Sequence, residues 1–337
     1  MRYEYVQGGR RRRPRRGWMA LLALLVLAGG GALFTLSSEK REPGPAPPVQ
    51  AQAPSGPLAV SPTAPLAGGG TAPSPLAVRL EDPRDAVRIK FKRPPRSALL
   101  FDLDTGRVLW RRDPTRVLPI ASLTKMMTAL VVTERVAPGS KVRITKEALR
   151  YKGSGVGLLP RGKWIGVNTM LHGLMLPSGN DAAIALAQRA ARGSVKRFVR
   201  YMNEKAQDLG LVCTRFSTPS GYEDRGNHSC ASDLAALARA VLREPRLAKI
   251  VRRRQAVLPF PIKGGKLYLY NNNPLLRQGY KGTTGLKTGY TDAAGRCLVA
   301  TARRGPIKLG VVLLHSPDPG KQARQLLDRG FRAVAAG

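Results

Sequence analysis

The sequence predicts a mixed domain of the α+β class whose sheet is assembled from the two ends of its folded region. Three observations lead there. Strand-like runs occur early, at 97–102 and 107–110, on either side of the turn Leu103-Asp104-Thr105-Gly106. Three more occur late, at 285–290, 296–303 and 307–314, joined by short glycine-containing turns. Between these two groups the apolar residues recur at helical spacing.

In chain order, the first feature is basic. Arg10, Arg11, Arg12, Arg13, Arg15 and Arg16 form one cluster, and residues 17–38 that follow carry no charge. A helix of that length crosses the roughly 30 Å of bilayer hydrocarbon. Trp18 stands at its edge, where an aromatic belt would place it. Arginines before the run and few charges after it predict a cytoplasmic tail over 1–16, a transmembrane signal anchor over 17–38, and the remainder outside the cell membrane. The rival is a cleaved signal peptide and a secreted protein. Ala51-Gln52-Ala53 resembles a cleavage site, but it lies far past the apolar run.

Residues 39–80 are rich in Pro, Ala and Gly and read as a semi-extended linker, which leaves 81–337 as the extracytoplasmic domain. Within it, 122–135 reads as a helix, with Leu123, Met126, Met127, Leu130 and Val131 on one side. Further helices are expected at 170–176, 181–192, 195–209, 232–242 and 322–332.

Composition narrows the function. With 43% hydrophobic and 23% charged residues, most of the 337-residue chain can bury a core. The 57 basic and 21 acidic side chains give a formal charge of +36; nine and three of them precede residue 76, which leaves +30 on 76–337. Such an excess suits nucleic acid, an anionic membrane or an anionic polymer outside the cell. No nucleic-acid module is present, and aromatics are 6%, so nucleic acid is not expected as a partner. Three cysteines exclude a disulfide-rich miniprotein and any four-cysteine metal site, and only His172, His228 and His315 are available for a histidine-built one. Chemistry without a metal or cofactor is expected.

Ser122-Leu123-Thr124-Lys125 opens the first strong helix, and residues three apart share a face, so the lysine amine can reach the serine hydroxyl. A serine needs a base to become a nucleophile, and lysine serves only when neutral, a state favoured by burial and by a second cation nearby. Taken alone, such a pair is an ordinary solvated helix face. Ser178-Gly179-Asn180, by itself, is a capped helix start. Lys287-Thr288-Gly289, by itself, is a strand end with a solvated lysine, although its glycine lets a substrate backbone lie against the strand.

Their order matters more than each alone. Ser-x-x-Lys on a helix, then Ser-x-Asn, then Lys-Thr-Gly on a strand resembles the signature of the penicillin-recognising serine enzymes. The neighbouring residues are similar to those of the low-molecular-mass D-alanyl-D-alanine carboxypeptidases of peptidase family S11, which are penicillin-binding proteins. These include Pro119-Ile120-Ala121 before Ser122, Asp181-Ala182-Ala183 after Asn180, Thr218-Pro219-Ser220-Gly221, Ser232-Asp233-Leu234-Ala235 and Ala294-Gly295-Arg296-Cys297. The resemblance spans roughly residues 96–334.

It implies a β-lactamase/transpeptidase-like fold, with a mainly antiparallel sheet flanked by helices plus a helical subdomain. It implies Ser122 as acylated nucleophile, Lys125 as its base, Ser178 as proton relay, Asn180 as a hydrogen-bond partner of the substrate amide and Lys287 as an added positive charge. Thr288, Gly289 and Tyr290 would bind substrate, Thr288 holding its terminal carboxylate and the backbone N–H groups of Ser122 and Tyr290 forming an oxyanion hole. The implied activity removes the terminal D-alanine from peptidoglycan stem pentapeptides, with β-lactam antibiotics as covalent inhibitors.

The sequence departs from the family in two places. It ends soon after the last expected helix, where many members add an all-β domain and a C-terminal anchor. Some members place a carboxylate-binding arginine just before that helix, for which Lys321 and Arg324 are the candidates here. Other readings remain: a peptidoglycan DD-endopeptidase, or a wall-binding protein that is acylated without turnover. A class A β-lactamase is suggested by Glu223 and Asn227 in Glu-x-x-x-Asn but opposed by Gly179, where those enzymes usually carry Asp. Cys213 and Cys230 suit a disulfide outside the cytoplasm or two buried thiols. Cys297 is expected buried and free. The surface charge suggests anionic wall polymers or lipid headgroups as a further partner.

Overall fold

The computed structural model describes residues 74–82, 85–222, 226–262 and 264–336. The expected tail, the anchor and the linker as far as residue 73 lie outside these, as do Glu223, Asp224 and Arg225. Among the described residues no helix is long and apolar enough to cross a membrane.

Strands β1 (Ser97–Asp102) and β2 (Val108–Arg112) are joined by a turn in which the Asp102 carboxylate accepts the backbone N–H groups of Asp104 (3.0 Å) and Thr105 (2.7 Å). A short β3 (Leu118–Pro119) leads into a 3-10 turn, Ala121–Thr124, and helix α1 (Lys125–Arg135). Next come β4 (Lys141–Arg143), β5 (Trp164–Gly166), α2 (Val167–Met175), α3 (Asn180–Ala190) and α4 (Val195–Asp208). Strand β6 (His228–Ser229) pairs with β3 and precedes α5 (Ala231–Arg243) and α6 (Pro245–Val251). A ribbon of β7 (Gln255–Pro259) and β8 (Lys266–Tyr270) is followed by the one-turn α7 (Pro274–Arg277). Strands β9 (Thr283–Thr291), β10 (Gly295–Arg304) and β11 (Ile307–Leu314) and helix α8 (Pro319–Ala335) end the described chain.

Five strands form the main sheet in the order β2-β1-β11-β10-β9, antiparallel throughout. The two ends of the domain therefore meet at β1 and β11, in a register that runs from Ser97↔Leu314 to Asp102↔Leu309. Successive strand residues point to opposite faces. Leu99, Phe101, Val299 and Val312 enter one core with α1, α2 and α5, while Ala98, Leu100, Leu298 and Val311 enter another with α8. Burial on both faces is why these strands read as almost unbroken apolar runs. Helices α2 to α6 gather round α1, which is buried from Lys125 to Val132.

Three features differ from the sequence-based expectation. The helix expected over 122–135 begins as a 3-10 turn, because Ala121 sits in the left-handed region (φ +48°) and fixes the entry angle. The ribbon β7–β8, helix α6 and the pair β4–β5 had no clear sequence signal. The folded chain also starts before residue 81. Leu76 and Val78 are buried in the core, and the Arg239 guanidinium donates to the carbonyls of Leu76 (2.7 Å), Ala77 (2.9 Å), Leu103 (2.9 Å) and Asp104 (2.9 Å). A proline-rich composition runs to Pro75, but the alternation Leu76, Val78, Leu80 supplies an apolar edge that packs.

Candidate active site

Ser122 lies in the 3-10 turn and Lys125 one turn further, at the start of α1. The Lys125 side chain is wholly buried, with Nζ 2.8 Å from Ser122 Oγ, 2.6 Å from Asn180 Oδ1 and 2.7 Å from the Ser220 carbonyl. Burial, and next the positive charge of Lys287, hold the Lys125 amine well below its ordinary 10.5, against a smaller pull upward from Asp181. A neutral amine has two N–H groups and one lone pair. The two carbonyl oxygens accept the N–H groups, so the lone pair faces the Ser122 hydroxyl. That is the arrangement of a base poised to take the serine proton.

Two glycines permit this packing. Gly221 has φ +74°, and a Cβ there would lie 2.0 Å from the Ala121 carbonyl oxygen, so only glycine lets the 218–221 loop rest on the turn that carries Ser122. A Cβ on Gly289 would lie 2.9 Å from the Ile120 carbonyl oxygen and 3.2 Å from the Ser122 nitrogen, so the edge strand β9 approaches the same turn closely.

Lys287, in the middle of β9, is also buried, and its amine donates to Ser178 Oγ (2.9 Å) and to the Thr288 carbonyl (2.9 Å). Burial lowers it from 10.5 to about 7. Ser178 is held in the left-handed region (φ +71°) in the link between α2 and α3. Asn180 begins α3, and its Nδ2 donates to the Lys152 carbonyl while its Oδ1 takes the Lys125 amine. The two lysines are thus bridged to the two polar residues of the 178–180 segment.

Above them opens a cleft of about 490 Å³ lined by Ser122, Gly153, Ser154, Asn180, Tyr222, Tyr290 and residues 291–293. Thr288 is half-buried, Gly289 buried and Tyr290 exposed on the β9 wall. All eight site residues expected from the sequence therefore come together. Lys321 and Arg324 do not: they line a separate hollow with Asp318 and Asp328. Cys213 and Cys230 are joined by a disulfide outside the cleft, and Cys297 is a buried thiol outside that bond. Among the described residues the one group of His, Cys, Asp or Glu close enough to hold a metal is Cys213, Cys230 and Asp233, and its two sulfurs are bonded to each other.

Two contributors were not singled out from the sequence. The Ser220 group that touches Lys125 is a backbone carbonyl, which carries no residue signature. Asp181 is a buried carboxylate that accepts the Val156 (2.9 Å) and Ala182 (2.7 Å) N–H groups and thereby pins the loop carrying Gly153 and Ser154. Burial pushes its carboxyl upward.

Comparison with known proteins agrees with this geometry. The family model for D-alanyl-D-alanine carboxypeptidases of peptidase family S11 matches residues 90–318. The chain belongs to this family. Among curated S11 relatives, the D-alanyl-D-alanine carboxypeptidase DacF of Bacillus subtilis (strain 168) is 36% identical over 244 residues, covering 70% of this chain and 62% of DacF. DacB2 of Mycobacterium tuberculosis is 35% identical over 246 residues, covering 71% and 82%. The match thus spans less than two thirds of DacF. Among solved structures, the Streptomyces K15 DD-transpeptidase superposes with a TM-score of 0.68 at 30% identity, over 73% of this chain and all of that one. The transpeptidase-like fold of this S11 member follows.

Proposed function

We propose that this S11 member is a serine-type D-alanyl-D-alanine carboxypeptidase acting on peptidoglycan stem pentapeptides. The observation that carries the reading is the buried Lys125 amine, lowered by burial and by Lys287 and 2.8 Å from Ser122 Oγ. Lys125 takes the hydroxyl proton as Ser122 Oγ attacks the carbonyl carbon of the penultimate D-alanine. The negative charge that develops on the carbonyl oxygen meets the backbone N–H groups of Ser122 and Tyr290; loss of one such donor typically lowers rate about 10²–10³-fold.

Collapse breaks the C–N bond, and the leaving amine of the terminal D-alanine takes a proton through Ser178. Asn180 holds the substrate amide, while Lys287 and Thr288 hold the terminal carboxylate, with Gly289 giving it room against β9. Water then hydrolyses the ester and frees Ser122. A β-lactam would acylate Ser122 in the same way. We further propose that residues 17–38 anchor the protein in the cell membrane with the domain outside, a reading supported by the arginine cluster and the uncharged run. The +36 charge supports attraction to anionic wall polymers.

The test incubates the full chain with a stem pentapeptide ending in D-Ala-D-Ala and follows it by mass spectrometry beside Ser122→Ala. Loss of one alanine, absent in the variant, is the expected result. An intact pentapeptide with a folded protein would reject the carboxypeptidase reading, and a cross-linked dimer cut in its place would assign an endopeptidase.

A further inference from the structure

Between Glu244 and Asp292 the chain has no acidic residue in 47 positions but ten lysines and arginines. Lys287 is spent in the active site and Arg246 bonds the Thr133 carbonyl (3.0 Å). Arg252, Arg253 and Arg254 lead into β7 and Lys266 opens β8; all four are exposed, and Arg254 also donates to the Arg277 carbonyl (3.3 Å).

The ribbon itself is unusual on its outer side. Its register pairs Ala256 with Leu269 and Val257 with Tyr268, so opposite residues alternate between two faces. Ala256 and Leu269 are buried against the core. The other face carries Val257, Tyr268 and Tyr270, which are 50%, 59% and 63% exposed, with Ile262 beyond the end of β7. A solvated face of a two-stranded ribbon is ordinarily polar. Here aromatic rings and branched aliphatics stand in the open, with exposed cations beside them along the chain. Among the described residues no third strand pairs with the ribbon.

That combination discriminates between partners. Tyrosines would stack on a neutral glycan, which needs neither the aliphatic side chains nor the cations, and an anionic wall polymer would use the cations but leave Val257 and Ile262 without a role. A nucleic acid would use the cations and leave Val257 and Ile262 without a role. The head-group region of an anionic bilayer uses all three: phosphates for the cations, the interface for the rings, and the acyl boundary for the aliphatics.

We propose that the β7–β8 ribbon is a lipid-docking face, with Val257, Ile262, Tyr268 and Tyr270 entering an anionic bilayer surface and Arg252, Arg253, Arg254 and Lys266 on its phosphates. The ribbon is tied to the active site. Two residues after β8, Asn272 donates its backbone N–H to the Leu176 carbonyl (3.1 Å) and its Nδ2 to the Pro177 carbonyl (3.1 Å), immediately before Ser178. Docking therefore fixes the distance of the cleft from the lipid surface, independently of any anchor at the N-terminus.

The test uses the full chain with Tyr268→Cys carrying an environment-sensitive fluorophore, and Gln207→Cys on α4 as a second labelling site on the same folded unit. Cys297 is buried and the other two cysteines are bonded, so the label goes to the introduced thiol. Each protein is mixed with vesicles of phosphatidylcholine alone, or of equal phosphatidylcholine and phosphatidylglycerol, containing nitroxide-labelled lipid. The expected result is quenching at position 268 several-fold greater than at 207, confined to the phosphatidylglycerol vesicles. It is lost in the triple variant Arg252→Glu, Arg253→Glu, Arg254→Glu and, should that variant misfold, in unchanged protein at 0.5 M salt. Equal quenching at the two positions, equal quenching in both vesicle types, or a response to isolated wall glycan in place of vesicles would overturn the proposal. The readout involves neither peptide nor penicillin, so it stands or fails apart from the carboxypeptidase reading.

Discussion

In this site the charge of one lysine depresses the other. Lys125 is depressed first by burial and then by the Lys287 charge, so removing Lys287 raises the Lys125 pKa. In Lys287→Ala the rate of penicillin acylation should fall at every pH, and the acid limb of the remaining pH profile should move to higher pH; an acid limb that stays in place would separate the two amines. Stability follows the same protons. Lys287 titrates near 7 when folded and near 10.5 when unfolded, so between those values the unfolded chain binds more protons. Stability should therefore rise with pH across that window, and Lys287→Met should flatten the rise in urea titrations. These properties belong to the fold. The sequence shows that the two lysines occur in the right order, but depression of a lysine pKa requires burial, and no local pattern reports that.

At the scale of elements, the loop from Cys213 to Cys230 decides how the site is held. It carries the Ser220 carbonyl that takes the Lys125 amine and the Pro219 carbonyl that takes the Thr128 hydroxyl (2.7 Å), and it ends in β6, which pairs with β3 just before Ser122. The disulfide closes this loop with a sequence separation of 17, and closing one of about that length is worth about 3 kcal/mol. Cys213→Ser with Cys230→Ser should lose roughly 2–4 kcal/mol in denaturant unfolding. It should also acylate more slowly at a temperature where it remains folded. Unchanged stability would mean that the loop is held by its hydrogen bonds alone. The cysteines were visible as a pair flanking one segment; that the segment lies on the turn of Ser122 was not, because the contact joins residues about one hundred positions apart.

For the whole molecule, charge is the governing quantity. A net +36 predicts retention on anionic wall material that weakens steeply between low and high salt, since exposed charges are screened beyond about 8 Å at physiological ionic strength. Retention unaffected by salt would assign binding to apolar or covalent contacts. Anchoring by 17–38 is separable from this: anchored protein stays with membranes through an alkaline carbonate wash, whereas protein held by charge is released. Release in full would remove the anchor reading.

The sequence alone determined the five sheet strands, most helices and the identity of Ser122, Lys125, Ser178, Asn180 and Lys287 as one set. Strands buried on both faces leave continuous apolar runs, and three short motifs in a particular order are improbable by chance even though each is bland by itself. Only the tertiary structure decided which atoms meet. It put the Ser220 carbonyl and Asp181 in support of the site, gave Lys321 and Arg324 to a different hollow, drew Leu76 and Val78 out of the linker into the core, and left an apolar ribbon face in the open. Each depends on long-range packing or on backbone atoms, and neither leaves a periodic trace along the chain.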